Sequence, residues 1–325
     1  MEFFLHPQTT GQKLLLMVVA VALFATVTAI VLGALSLPKR TPRWLVALAF
    51  LGPAVVAVCF GLVYPAIVTI GNSFVDQTGA VGVGNYVQAL TQPQFLVVLR
   101  NTVLWVLLVP ALATGIGLVY AALVDRTRFE KAAKILMFMP MAISMVGASI
   151  IWKFVYDNKV GLLSEAYVGA ASLFGVHTTA PQWLMNVPYN NLFLIIVMVW
   201  IQAGFAMTVL SAAIKAIPDE IGEAAQLDGV SRMEMFWHVT VPMIRPSIVV
   251  VLTTVAMTSL KAFDVVRTMT AGNYDTSVIA NEFYTQSFKY QNQGLGAALA
   301  VLLFVIVIPV IVYNVRQLKR AEDVR

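Results

Sequence analysis

Seven long apolar runs alternate with short polar connections along the chain, near Leu14 to Leu35, Trp44 to Ile70, Arg100 to Val124, Lys134 to Tyr156, Leu192 to Ile214, Arg245 to Thr268 and Ala297 to Val315. About 20 helical residues cross a hydrocarbon core about 30 Å thick, so each run is long enough, or nearly so. Lipid offers no partner to a free backbone N–H or C=O, which makes the helix the natural state of such runs. The pattern predicts an all-α integral membrane protein with about seven transmembrane helices. The first run is uncharged from Leu14 to Pro38. That is longer than the apolar core of a cleavable signal, and it is expected to stay attached.

Composition supports the same class. Of 325 residues, 59% are apolar and 11% charged, and the mean hydropathy is +0.83. A water-soluble domain carries about 25% charged residues, so this chain has too few ionic side chains to cover a surface in water. The one cysteine, Cys59, sits in an apolar run. It excludes a disulfide framework, a Cys-based zinc site and a CxxC redox pair.

The net charge of +5 reflects topology and calls for no nucleic acid. Fourteen of the 21 Lys and Arg lie in the stretches 38–43, 125–134 and 215–245 and in the C-terminal tail. Connections rich in Lys and Arg stay cytoplasmic. The expected arrangement is a multi-pass protein of a prokaryotic cytoplasmic (inner) membrane, with the C-terminus inside and the N-terminus outside. Three longer segments, 71–99, 157–191 and 269–296, then face outward.

Missing motifs narrow the function. The chain has no G-x-x-x-x-G-K-[ST] phosphate loop to bind ATP. Gly115 and Gly117 lie inside an apolar run and read as a packing feature. His6, His177 and His238 are far apart with no H-E-x-x-H, which gives a metalloprotease no support. Neither a bound cofactor nor a metal is expected.

The segment 217–246 is the most informative. Pro218, Asp219 and Glu220 suit the first turn of a helix, whose positive dipole end favours acids. Gly229 can take the left-handed conformation that ends it. Ser231 and Glu234 have the spacing of a capping box for a second short helix, which Pro242 is expected to stop. Glu223, Ala224, Ala225 and Asp228 would sit on a compact helix where small residues allow a partner to approach closely. An amphipathic helix lying on the membrane surface fits the spacing equally well.

Glu223-Ala224-Ala225, with Gly229 following and Pro242 beyond it, resembles the EAA loop of permease subunits in ATP-binding-cassette (ABC) importers. The likeness runs almost from Trp44 to Arg320. Leu62-Val-Tyr-Pro65, Asn72-Ser-Phe74, Val83-Gly-Asn-Tyr86, Arg100-Asn-Thr102, Phe138-Met-Pro140 and Gly161-Leu-Leu163 are similar, in order, to the carbohydrate-uptake branch that includes the maltose importer. The resemblance implies a six-span type I importer core over residues 44–325, preceded by an extra helix and basic linker over 1–43. It implies that Glu223, Ala224, Ala225, Asp228 and Gly229 form the coupling helix that docks on an ATP-binding subunit. It also implies a second permease subunit, two ATP-binding subunits that use ATP and Mg, an extracytoplasmic solute-binding protein and a sugar substrate. Where many members carry Gly-Gly-Gly-Pro after Phe-Asp, this chain continues Phe263-Asp264 toward Asn273 and Asn281. That version is similar to permeases for α-glucosides and glucosylglycerol.

Lys261 and Asp264 are three apart, and on one helix they would share a face as an ion pair that either only holds the helix against its neighbours or marks the substrate path. With Thr254, Thr258 and Gln202 they could line a polar cavity for sugar hydroxyls, and Trp200, Phe205 and Phe263 could add aromatic faces. The alternative is an ion- or proton-coupled secondary transporter working alone, in which buried ionisable residues form a relay.

The topology has a direct test. In a Cys59→Ala background, a cysteine at Thr10 should react with an impermeant thiol reagent added from outside, and one at Arg128 should not. The reverse labelling would contradict the orientation.

Overall fold

The computed structural model describes residues 10–35, 42–125 and 127–322; the expectations resting on Lys39, Arg40, Arg126 and Arg325 lie outside them. The described chain is helical, and its one β feature among these residues is an isolated bridge between Val75 and Val81. Clustering of contacts divides it into residues 1–69 and 70–325.

The first unit holds α1 (Thr10–Leu35) and α2 (Arg43–Val58), which pack on each other. A π-turn over Cys59–Val63 leads into α3 (Tyr64–Ser73), within which the division falls. Proline 65 explains the turn. Its ring would clash with the carbonyl four residues back, Gly61, and widening the helix there relieves the contact.

The second unit follows with α4 (Gly84–Thr91), α5 (Pro93–Val124), α6 (Glu130–Phe138) and α7 (Met145–Val155). Next come α8 (Leu162–Leu173), α9 (Asn190–Lys215), α10 (Asp219–Leu227) and α11 (Arg232–Glu234). The last are α12 (Val241–Met243), α13 (Arg245–Leu260), α14 (Phe263–Met269), α15 (Ile279–Tyr284) and α16 (Gln293–Glu322). Four stretches, Phe50–Ser73, Pro93–Val124, Asn190–Lys215 and Gln293–Tyr313, are long and apolar enough to cross a membrane. Two bent pairs raise the candidate spans to six.

Those bent pairs correct the expected continuous runs. Lys134 to Tyr156 is not one helix: a 3-10 turn over Met139–Ala142 and a 103° bend separate α6 from α7. Pro140 lies in that turn, and Ser144 restarts the helix as an N-cap, its hydroxyl accepting from Gly147 N–H at 3.1 Å. Pro242 does not stop its helix either. A π-turn over Met235–Thr240 absorbs its ring, and the chain bends by 70° two residues later, at Ile244. Pro246 then starts α13, where a missing N–H does no harm.

Burial centres on α9. Leu194, Met198, Met207 and Leu210 are among its fully buried side chains, and Trp105 and Val109 of α5 share a core cluster with Leu194, Met198 and Leu210. Trp105 donates its indole N–H to Asn191 Oδ1 at 2.8 Å, which pairs a polar tip that burial would otherwise leave unmet. Two glycines set the distances to α9. A Cβ on Gly117 would lie 2.6 Å from the Met207 backbone nitrogen, and one on Gly204 would lie 2.5 Å from the Met137 carbonyl oxygen. Small residues allow such close backbone approach in membrane bundles. Elsewhere Leu107, Leu123, Ile135 and Phe304 are more than 60% exposed, a disposition suited to lipid.

A polar turn closes the connection after α7. Asp157 accepts from the backbone N–H groups of Lys159 at 2.9 Å and Val160 at 3.1 Å. These bonds hold its carboxyl below the usual carboxylate range.

Gly115 has open space where Gly117 has backbone. Gly117→Ala should lower the thermal midpoint of the detergent-purified protein, because overpacking costs about 1–3 kcal/mol. Gly115→Ala should leave it unchanged or raise it, by up to about 1 kcal/mol of helix propensity.

Candidate functional site

The segment after α9 is built as two short helices around one turn. Ile217 N–H bonds the Ile214 carbonyl at 3.2 Å, so α9 tightens before Pro218 breaks the ladder. Asp219 and Glu220 occupy the first turn of α10. At its other end Val230 N–H bonds the Ala225 carbonyl at 3.1 Å while Gly229 sits at φ +78°. That is the six-to-one bond and left-handed residue of a Schellman ending. The predicted capping box follows: Ser231 N–H donates to Glu234 Oε2 at 2.9 Å, and Glu234 N–H donates to Ser231 Oγ at 3.3 Å.

This frame leaves one side of α10 open. Glu223, Ala224, Asp228 and Gly229 are exposed and Ala225 is half-buried. Leu227 is 90% exposed, so an apolar side chain stands beside the two acids. On the other side, Gly222 faces Met235: a Cβ there would come 3.3 Å from its methyl group. A hollow of about 510 Å³ lies between α9, α10 and the π-turn, lined by Ile214, Ile217, Pro218, Gly222, Glu223 and Met235 among others. The arrangement offers an acidic and apolar knob on a rigid base.

The proposed path residues are only partly brought together. Gln202 is buried in α9, and Thr254 and Thr258 are half-buried in α13. The Thr258 hydroxyl bonds back to the Thr254 carbonyl at 3.0 Å. Lys261 and Asp264 do not share a helix face, because α13 ends at Leu260 and α14 begins at Phe263. Short bonds from Lys261 and Ala262 N–H to Thr258 and Ser259 carbonyls close the last turn. The kink buries Ala262, Val265 and Val266 and turns Lys261 outward, and no Lys261–Asp264 ion pair forms among the described residues. The paired-charge relay thereby loses its geometry.

The aromatic candidates separate too. Phe263 packs on Tyr284 with ring centres 5.1 Å apart, and the Arg267 guanidinium lies 4.7 Å over that same ring. Trp200 meets Trp152 edge-on at 5.6 Å and Phe205 is half-buried.

Sequence reading missed what holds the opposite end of α9. Asn101 donates to the carbonyls of Asp275 at 2.6 Å and Ser277 at 3.0 Å, and Asn190 donates to the Tyr274 carbonyl at 2.6 Å. They fix a loop in which Ala271, Tyr274 and Asp275 all have positive φ. The signal was present: asparagines embedded in, or opening, apolar runs need buried partners.

Residues 98–320 match the family described as binding-protein-dependent transport system inner membrane component. The osmoprotective compounds uptake permease protein GgtC of Synechocystis is 40% identical over 278 residues, covering 85% of this chain and 100% of that protein. The alpha-glucoside transport system permease protein AglF of Rhizobium meliloti is also 40% identical, over 83% of this chain and 82% of that one. The fold resembles a chain in the crystal structure of a bacterial alginate ABC transporter, with a TM-score of 0.73 at 21% identity over 86% of this chain and 95% of that one.

Gly229 has open space around it, so backbone strain alone decides its replacement. Gly229→Val should open the turn at a strain of about 1–3 kcal/mol and speed tryptic cleavage after exposed Arg232. Gly229→Asn should cleave like the parent, since asparagine tolerates this conformation. Equal cleavage of all three would show that the turn does not depend on glycine.

Proposed function

The chain belongs to the family of binding-protein-dependent transport system inner membrane components, and from that premise we propose that α10 is its coupling helix and that its cargo is an α-glucoside or a related oligosaccharide. The protein is a multi-pass inner-membrane permease subunit of an ABC importer for a sugar-like solute. It carries no catalytic domain, and ATP is hydrolysed by partner subunits.

The observation that carries the coupling reading is the exposure of Glu223, Ala224 and Asp228 on a helix locked at its C-terminal end by the Gly229 turn and the Ser231–Glu234 box. In this reading Glu223 pairs with a basic residue in a groove of the ATP-binding subunit, Ala224 and Ala225 allow close approach, and Asp228 and Gly229 set the turn. Two ATP-binding subunits clamp on ATP. Their closure displaces α10 and the matching helix of a second permease subunit, exchanging an outward for an inward opening. A solute-binding protein delivers sugar to the outer end. The orientation follows the basic connections, with α10 and the C-terminus cytoplasmic and the N-terminus outside; residues 1–43 add a helix and basic linker to the importer core of 44–325.

Support for the cargo comes from the two relatives at 40% identity, one of them an alpha-glucoside permease by name. Gln202, Thr254, Thr258 and the α13–α14 kink with Lys261, Phe263 and Asp264 are the residues assigned to the path. Their hydroxyl and amide groups can hydrogen-bond sugar hydroxyls.

Two variants test the two assignments. Glu223→Lys should assemble and reach the membrane yet lose uptake and the stimulation of ATP hydrolysis by loaded binding protein, about tenfold or more for a lost charge-assisted contact. Normal stimulation would remove Glu223 from coupling. Thr258→Val should change the ratio of uptake between two α-glucosides while hydrolysis persists. Equal loss for every sugar together with loss of the assembled complex would assign Thr258 to structure.

A further inference from the structure

A group of charges at the end of the bundle that carries α10 has no part in the account so far. Asp125 caps α5, Glu130 opens α6, and Lys215 closes α9. Lys134, one turn into α6, bonds Asp125 at 2.5 Å and Glu130 at 2.9 Å, and Lys215 bonds Glu130 as well. The Ser211 hydroxyl donates to both Asp125 carboxylate oxygens, at 2.8 and 3.0 Å, and contacts the Lys134 ammonium. The Asp125 side chain is 5% exposed.

Local propensity does not account for this arrangement. An acid at a helix C-terminus faces the negative end of the dipole, so Asp125 is unfavourable where it stands unless a distant cation compensates it. A partly buried ion pair is also weak evidence of stability, since desolvation offsets most of the attraction. What the network achieves is connection. It joins three helix ends through alternating charges beside an apolar groove of about 580 Å³ lined by Ile135, Phe138, Met139 and Ala212 among others; the Asp125 end is shielded from solvent, while Lys215, 45% exposed, holds Glu130 from the solvent side. Lys215 lies three residues before Pro218, and the Ala216 and Ile217 N–H bonds carry α9 up to that proline.

We propose that Asp125, Glu130, Lys134, Ser211 and Lys215 form an ionic clamp that makes the ends of α5, α6 and α9 move as one body when α10 is displaced. These are positioning residues, and the inference rests on α10 being the coupling helix. Without the clamp, a push on α10 tilts the end of α9 alone. Its motion is then lost before it reaches Gln202, 13 residues up the same helix, or the α5 and α6 surfaces packed against it.

The test uses the complete complex in proteoliposomes and measures sugar taken up per ATP hydrolysed. Lys215→Met keeps the long apolar stem and removes the charge. It should retain assembly and stimulated hydrolysis while uptake per ATP falls roughly fivefold or more, the lower end of typical coupling between sites. Asp125→Asn, which keeps shape and the Ser211 contact, should behave the same way, and Lys215→Arg should couple like the parent. An unchanged ratio in Lys215→Met and Asp125→Asn would overturn the clamp, as would hydrolysis and uptake falling in proportion. If the parent complex itself took up sugar without ATP, the importer reading would fall and the clamp with it. If the parent couples and Lys215→Met couples equally, the clamp alone falls.

Discussion

The obligation to pair every backbone N–H and C=O inside a membrane governs this structure. It forces long helices and makes each interruption expensive unless protein or polar surroundings receive the freed groups. Several of the interruptions have an identifiable receiver. Ser144 caps the restart at α7, π-turns absorb Pro65 and Pro242, and tightened bonds close α13 at Lys261 and Ala262. Two of these breaks adjoin segments assigned to function: the Ile244 bend follows the α10 turn, and the α13–α14 kink holds Lys261 and Phe263.

A second constraint follows from the first. Without a hydrophobic drive between helices in lipid, association relies on close packing and on polar contacts. Helix α9 satisfies both. Gly117 and Gly204 let neighbouring backbones approach it, Asn190 and Asn191 bond at one end, and Ser211 and Lys215 bond at the other. With 26 residues it is about 39 Å long, enough to connect the positive-φ loop around Tyr274 with α10. A stiff rod tied at both ends is a suitable carrier of displacement, whereas a helix tied at one end would pivot.

Much of this was legible in the sequence. The class followed from run length and charge scarcity. The α10 turn followed from Gly229 and the Ser231–Glu234 spacing, because caps and left-handed turns are local devices decided by neighbours in sequence. The kinks escaped because hydropathy does not register them: the runs ending at Tyr156 and Thr268 are apolar on both sides of their breaks. Lys261 and Asp264 looked like partners for that reason. The Asp125–Lys134–Glu130–Lys215 group escaped because its members lie up to 90 apart in sequence, and a basic connection reads as topology long before it reads as a network. Gly117 was legible as a packing residue, but which neighbour it admits was not.

This chain carries a sugar-like solute only as the membrane subunit of an ATP-driven assembly. Uptake of a labelled α-glucoside into proteoliposomes, comparing the chain alone with the complex that includes its ATP-binding and solute-binding partners, tests that claim directly. Uptake should occur only with the complete complex, only with the solute-binding protein outside, and only with hydrolysable ATP available to the ATP-binding subunits. Accumulation by the chain alone, driven by a proton or sodium gradient, would contradict it.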